Sequence, residues 1–162
     1  MIKNYLRSSV NPNKPFMTDK PLIDDYVLYA DDDDDDKMVL RESFEQYAVG
    51  KTLVTVSTGQ ELLDYLTDNM QQRGLPCLVI LDQNMPGLTG VEVVKVLREH
   101  EWFRNIPLVM FSTNQPMQEA ILKEYRVPVE IKPNSFQQWE KIALRLLSHC
   151  SQFKKENPND NK

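Results

Sequence analysis

Apolar runs in this sequence end on residues that could do chemistry. Asp31, Asp32 and Asp33 follow Tyr26 to Ala30, and Asp82 follows Leu78 to Leu81. Ser112 and Thr113 follow Leu108 to Phe111, and Lys132 follows Val129 to Ile131. Carboxylates gathered at one place repel one another and resist deprotonation unless a cation neutralises them. A donor set made of oxygens alone selects a hard cation, and Mg2+ suits one or two carboxylates supplemented by water and phosphate oxygens. A lysine supplies a point charge matched to a phosphoryl group. A carboxylate nucleophile, a metal clamp, a hydroxyl donor and an ammonium are the parts needed to form an aspartyl phosphate. In that reaction a protein mainly positions groups and neutralises charge.

The elements that must position these residues alternate along the chain. Tyr26 to Ala30 reads as a strand buried on both faces, and Lys37 to Tyr47 as a helix with Leu40, Phe44 and Tyr47 at helical spacing. Thr52 to Val56 is a second strand. Thr58 to Glu61 has the capping-box form, ahead of a helix with Leu62, Leu63, Leu66 and Met70 on one side. Leu78 to Leu81 is a third strand, Val91 to His100 a third helix, and Leu108 to Phe111 a fourth strand entered through Pro107. Met117 to Tyr125 is a more polar helix, and Val129 to Ile131 a short fifth strand. Asn134 and Ser135 cap a last helix with Gln138 at the capping-box position and Ile142, Leu146 and Leu147 facing inward. Five strand–helix repeats with apolar strands imply a parallel sheet covered on both faces. Right-handed crossovers then make the fold α/β and doubly wound, with its ligand site beyond the carboxyl ends of the strands. All the residues singled out above stand at that edge.

The bulk properties leave few other classes open. The chain has 162 residues, enough for one domain with one sizeable core. Hydrophobic residues make up 41% and charged residues 27%, the balance of a folded globular chain rather than a disordered one. A net charge of −5 argues against a general nucleic-acid-binding surface. Cys77 and Cys150 match neither a zinc spacing nor a small disulfide framework, and fit a cytoplasmic location. No apolar run is long enough to span a bilayer, so no membrane partner is expected. The expected organisation is a flexible leader over 1–22, a domain over 23–150 and a disordered tail over 151–162.

The motifs as a set resemble those of bacterial two-component response-regulator receiver domains. They are Ala30-Asp31-Asp32-Asp33, Leu81-Asp82-Gln83-Asn84-Met85-Pro86-Gly87 with Gly90, Phe111-Ser112-Thr113 and Ile131-Lys132-Pro133, in the family's order and spread over about Asp25 to Cys150. Each is weak alone; together and in register they are specific. The resemblance implies a CheY-like, flavodoxin-like (βα)5 fold with a doubly wound parallel five-stranded sheet in a single domain. It implies Asp82 as phosphoacceptor, with Ser112 closing on the phosphoryl group and Lys132 contacting it. It further implies Mg2+ held by Asp32 directly, Asp31 through water, Asp82, and the backbone carbonyl of Asn84. Gln83 and Asn114 fall where dephosphorylation is tuned, Thr113 adjoins the site, and Asp33 is given a supporting role. Lys132-Pro133 is a bond such proteins often hold cis. The stretch Pro128 to Phe136 also looks like short single-domain regulators paired with phytochrome-type or other sensor kinases.

The implied function is that of a stand-alone response regulator, phosphorylated by a sensor histidine kinase or a histidine phosphotransfer protein. Output would pass by protein contact or phosphorelay, with no enzyme activity beyond the protein's own phosphorylation and dephosphorylation. The family's usual homodimer surface is helix four, strand five and helix five. One departure is Val129, where many receivers carry a Tyr or Phe whose rotation propagates the signal. That departure supports the alternative of a phosphorylation-independent scaffold or dimerisation module. A covalent-aspartate phosphatase would want an acid two residues after Asp82, where Asn84 stands, and a cap domain. A flavin carrier would find the acidic first loop repulsive to its phosphate. Asp34 to Asp36 are expected only to favour a helix N-terminus. His100 and His149 are expected at helix ends, and Trp102 and Phe103 to anchor a loop.

Overall fold

The structure, a computed structural model, describes residues 26–48, 50–114 and 119–156. Its elements run β1 (Tyr26–Ala30), α1 (Asp34–Tyr47), β2 (Thr52–Val56), α2 (Gly59–Asn69), β3 (Leu78–Asp82), α3 (Gly90–Glu99), β4 (Leu108–Ser112), α4 (Glu119–Glu124), β5 (Val129–Ile131) and α5 (Phe136–Glu156). All strand pairings are parallel, and the sheet order is β2-β1-β3-β4-β5. The order reverses between β1 and β3, so the switch point lies between Asp31 and Asp82.

Side chains alternate across the sheet with the two-residue period of a strand. Tyr26, Leu28 and Ala30 of β1 face the layer formed by Leu62, Leu66, Val94, Leu97 and Leu122 of α2, α3 and α4. Val27 and Tyr29 face the layer formed by Leu40 and Phe44 of α1 and Trp139, Ile142 and Leu146 of α5. Burial on both faces is why β1, β3 and β4 read as unbroken apolar runs. β2 lies at the sheet edge and is only partly covered.

Several boundaries differ from expectation. β3 and β4 each continue one residue further, so Asp82 and Ser112 are the last residues of their strands and not the first of their loops. α1 starts at Asp34, not Lys37, because the Asp33 carboxylate accepts hydrogen bonds from the N–H groups of Asp35 and Asp36. α5 continues through Glu156, past the tail boundary expected after Cys150. The expected leader, Met117, and residues 157–162 lie outside the described residues. At α2 only half of the capping box forms, since Thr58 accepts from the Glu61 N–H but the Glu61 carboxylate takes the Ser57 N–H. The complete box is at α3, where Thr89 and Glu92 cap each other.

Phe103 is fully buried and stacks on His100 at 4.4 Å, while Trp102 packs partly buried against the core. Both therefore anchor the loop after α3. His149 is not at a helix end: it sits within α5, 3.4 Å from Glu130 of β5, which also pairs with Arg145 at 2.9 Å.

Candidate phosphoacceptor site

Three carboxylates converge at the switch point. One oxygen from each of Asp31, Asp32 and Asp82 lies within 4.8 Å of the others. Asp31 and Asp82 are buried and Asp32 is exposed, so the group opens to solvent on one side. The donors are all oxygens, which fits a hard divalent cation.

Asp31 is held on every side. Its Oδ1 accepts the Asp33 N–H at 2.9 Å. Its Oδ2 accepts the Tyr29 hydroxyl and the Lys132 ammonium. Burial, the charge of Asp31 and the hydrogen bond to it hold the Tyr29 phenol far above the ordinary tyrosine range, so it remains a donor. This hydroxyl is absent from the sequence reading, because an aromatic in a buried strand passes for core.

Lys132 sits at the centre of the site. Its Nζ lies 2.6 Å from Asp31, 2.8 Å from Asp82 and 2.9 Å from Asp36. Burial opposes its charge, but hydrogen bonds to Asp31, Asp82 and Asp36 outweigh it and hold the ammonium above the ordinary lysine range. Asp36 is a correction to the sequence reading, which gave it only a helix-dipole role. As the third residue of α1 its side chain leans back toward the helix N-terminus, and that end points at the pocket. A second correction concerns Lys132-Pro133: no described peptide bond is cis. The trans form is the intrinsically favoured one, and the lysine stem reaches the carboxylates from it.

The other candidate residues lie around this centre. The Asn84 N–H donates to Asp82 Oδ2 at 2.6 Å, and Asn84 itself is exposed just beyond the strand end. The buried Ser112 hydroxyl donates to Gln83 Oε1 at 3.4 Å and accepts from the Asn114 N–H at 3.5 Å. The β5 register is tied to it, since the Lys132 N–H donates to the Ser112 carbonyl at 2.8 Å. Thr113 is exposed beside Ser112. Asp33 acts on the pocket through its backbone, while its side chain caps α1. Val129 is half-buried opposite Met110 of β4.

Gly87 has φ of 79°, the left-handed region that glycine adopts without strain. Gly90 is needed for a different reason. A Cβ there would lie 2.3 Å from the Asp82 carbonyl oxygen, so α3 rests directly on the backbone of the central aspartate. Gly90→Ala is expected to cost at least about 1–3 kcal/mol, the range for overpacking a tight core. Urea unfolding measures it, and a midpoint equal to the wild type would show that the backbone contact yields freely.

Comparison with known proteins gives a consistent result. A family model described as response regulator receiver domain matches residues 27–127. The chain is 26% identical over 154 residues to the two-component response regulator ARR7 of Arabidopsis thaliana, covering 83% of this chain and 73% of that one. Response regulator RPA3017, from red light signaling of R. palustris, superposes with a TM-score of 0.65 at 30% identity, covering 76% of this chain and 91% of that one. The Mn(2+)-bound form of response regulator Rcp1 superposes with a TM-score of 0.67 at 20% identity over 76% of this chain and 92% of that one, a likeness of fold.

Proposed function

This chain belongs to the response regulator receiver domain family, and from that membership we propose that Asp82 accepts a phosphoryl group from a phosphohistidine in a Mg2+-dependent reaction. The observation that carries the proposal is Lys132 Nζ 2.8 Å from Asp82 Oδ1, beside the oxygen cluster of Asp31, Asp32 and Asp82. An Asp82 oxygen attacks phosphorus, the P–N bond to the donor imidazole breaks, and the imidazole takes a proton from solvent. Asp31, Asp32, Asp82 and the Asn84 carbonyl would hold Mg2+, which supplies charge neutralisation for the phosphoryl oxygens. The Mn2+ named for the Rcp1 structure is an ion of the same oxygen-preferring class.

Lys132 and the Ser112 hydroxyl bind the remaining phosphoryl oxygens. Ser112 must leave Gln83 to do so, and its bond to Gln83 is long enough to give up cheaply. With Val129 in β5, no aromatic ring rotates there to report the change. Output passes through contact with a partner protein or onward transfer to a histidine phosphotransfer protein. The donor is a sensor histidine kinase or such a phosphotransfer protein, and the face of α4, β5 and α5 is the surface for self-association. We place the protein in the cytoplasm, with no catalytic activity on outside substrates.

Intact mass after incubation with acetyl phosphate tests the proposal. The expected result is the gain of one phosphoryl group with Mg2+ and none with a chelator. No gain by a folded protein would favour a phosphorylation-independent scaffold, the reading that Val129 supports.

A further inference from the structure

A lysine ammonium has three N–H donors and no acceptor. In this pocket Asp31, Asp36 and Asp82 take one each. The Asp36 carboxylate falls outside the cluster of Asp31, Asp32 and Asp82 that could hold a cation. Its place is set by the first turn of α1, where Asp33 caps the helix and the Asp36 N–H is bound at 3.3 Å. Its side chain is 25% exposed and that of Lys132 only 6%, so solvent screens their attraction incompletely.

We propose that Asp36 competes with the phosphoryl group for Lys132, holding the ammonium in the unphosphorylated pocket and weakening the pocket's grip on a phosphoryl-sized anion. The inference rests on the reading of Asp82 as phosphoacceptor. When Asp82 carries a phosphoryl group, the oxygens of that group approach Lys132, and a cation draws on Asp31. Asp36 is in neither interaction and remains as a rival anion on the same ammonium. Its charge also repels the incoming phosphoryl oxygens directly. Asp36 is thus a positioning residue, acting through Lys132.

Beryllofluoride, an anion of phosphoryl shape, tests this at saturating Mg2+. Trp139 provides the readout, since its ring meets Phe111 at 5.6 Å and the Lys132 ammonium lies 5.9 Å from the Phe111 ring. The expected result is that Asp36→Asn binds beryllofluoride about two- to fivefold more tightly than wild type, the scale of one partly exposed ion pair. Asp36→Glu, which keeps the charge, should stay near the wild type. Structural damage would weaken binding, so a gain of affinity separates the two explanations. Equal or weaker binding by Asp36→Asn, with wild type binding normally, would overturn the role of Asp36. Failure of the wild type to bind at all would instead overturn the phosphoacceptor reading, and this inference with it.

Discussion

Asp82→Asn is expected to lose phosphoryl incorporation from acetyl phosphate by at least about 100-fold, the consequence of removing the attacking group itself. The amide keeps the volume of the carboxylate and one carbonyl oxygen, so it can serve either the Asn84 N–H or Lys132 but not both as before. Its nitrogen is no nucleophile. The fold should survive, because the substitution removes one negative charge from a pocket where three carboxylates meet a single lysine. The variant should therefore melt no lower than the wild type in the absence of Mg2+. Intact mass and thermal melting on the same sample check both statements. Labelling at the wild-type level would transfer the acceptor role to another residue, and Asp31 or Asp32, whose carboxylates share the cluster with Asp82, would be the first to examine by peptide mapping.

Lys132→Met is expected to be the most destabilising single change in the pocket. It keeps most of the apolar stem and deletes the charge that neutralises Asp31, Asp36 and Asp82. Asp31 is wholly buried and Asp82 nearly so. Breaking a buried pair from one side costs about 3–5 kcal/mol, because the partner's charge is left uncompensated. Urea unfolding near neutral pH without divalent ions measures this. Mg2+ should restore much of the loss, since a cation among Asp31, Asp32 and Asp82 does the same neutralising. In the wild type the folded lysine titrates above its unfolded value, so its contribution is complete throughout the neutral range and declines only as pH rises beyond about 10. Unchanged stability of Lys132→Met without Mg2+ would mean that water, not the lysine, compensates the carboxylates.

How much of this was legible in the sequence depended on whether a residue's role followed from its position in a periodic pattern. β1, β3 and β4 were legible because burial on both faces makes them continuous apolar runs, and the groups at their carboxyl ends followed from the parallel order. Asp36 was not. Six consecutive aspartates, Asp31 to Asp36, have no periodicity of their own, and only the phase of α1, set by the Asp33 cap, selects which one turns inward. The Tyr29 hydroxyl was hidden in a run that could only be read as apolar. The box at Thr89 and Glu92 is spelled out in sequence, but the third helix was expected to begin at Val91, and α3 begins at Gly90, directly after its Thr89 cap. The trans Lys132-Pro133 bond has no sequence signature at all.

The length of α5 has one practical consequence. A parallel strand delivers the chain to the pocket edge and each helix carries it back, so Tyr26 and Glu156 both lie toward the opposite edge. A helix of 21 residues spans about 31 Å, against about 17 Å for a five-residue strand. The end of α5 therefore projects past the sheet on the side away from Asp82. A fluorescent protein or surface tether joined there would leave the carboxylates open, whereas the same cargo inserted after β3 or β4 would stand in the mouth of the pocket.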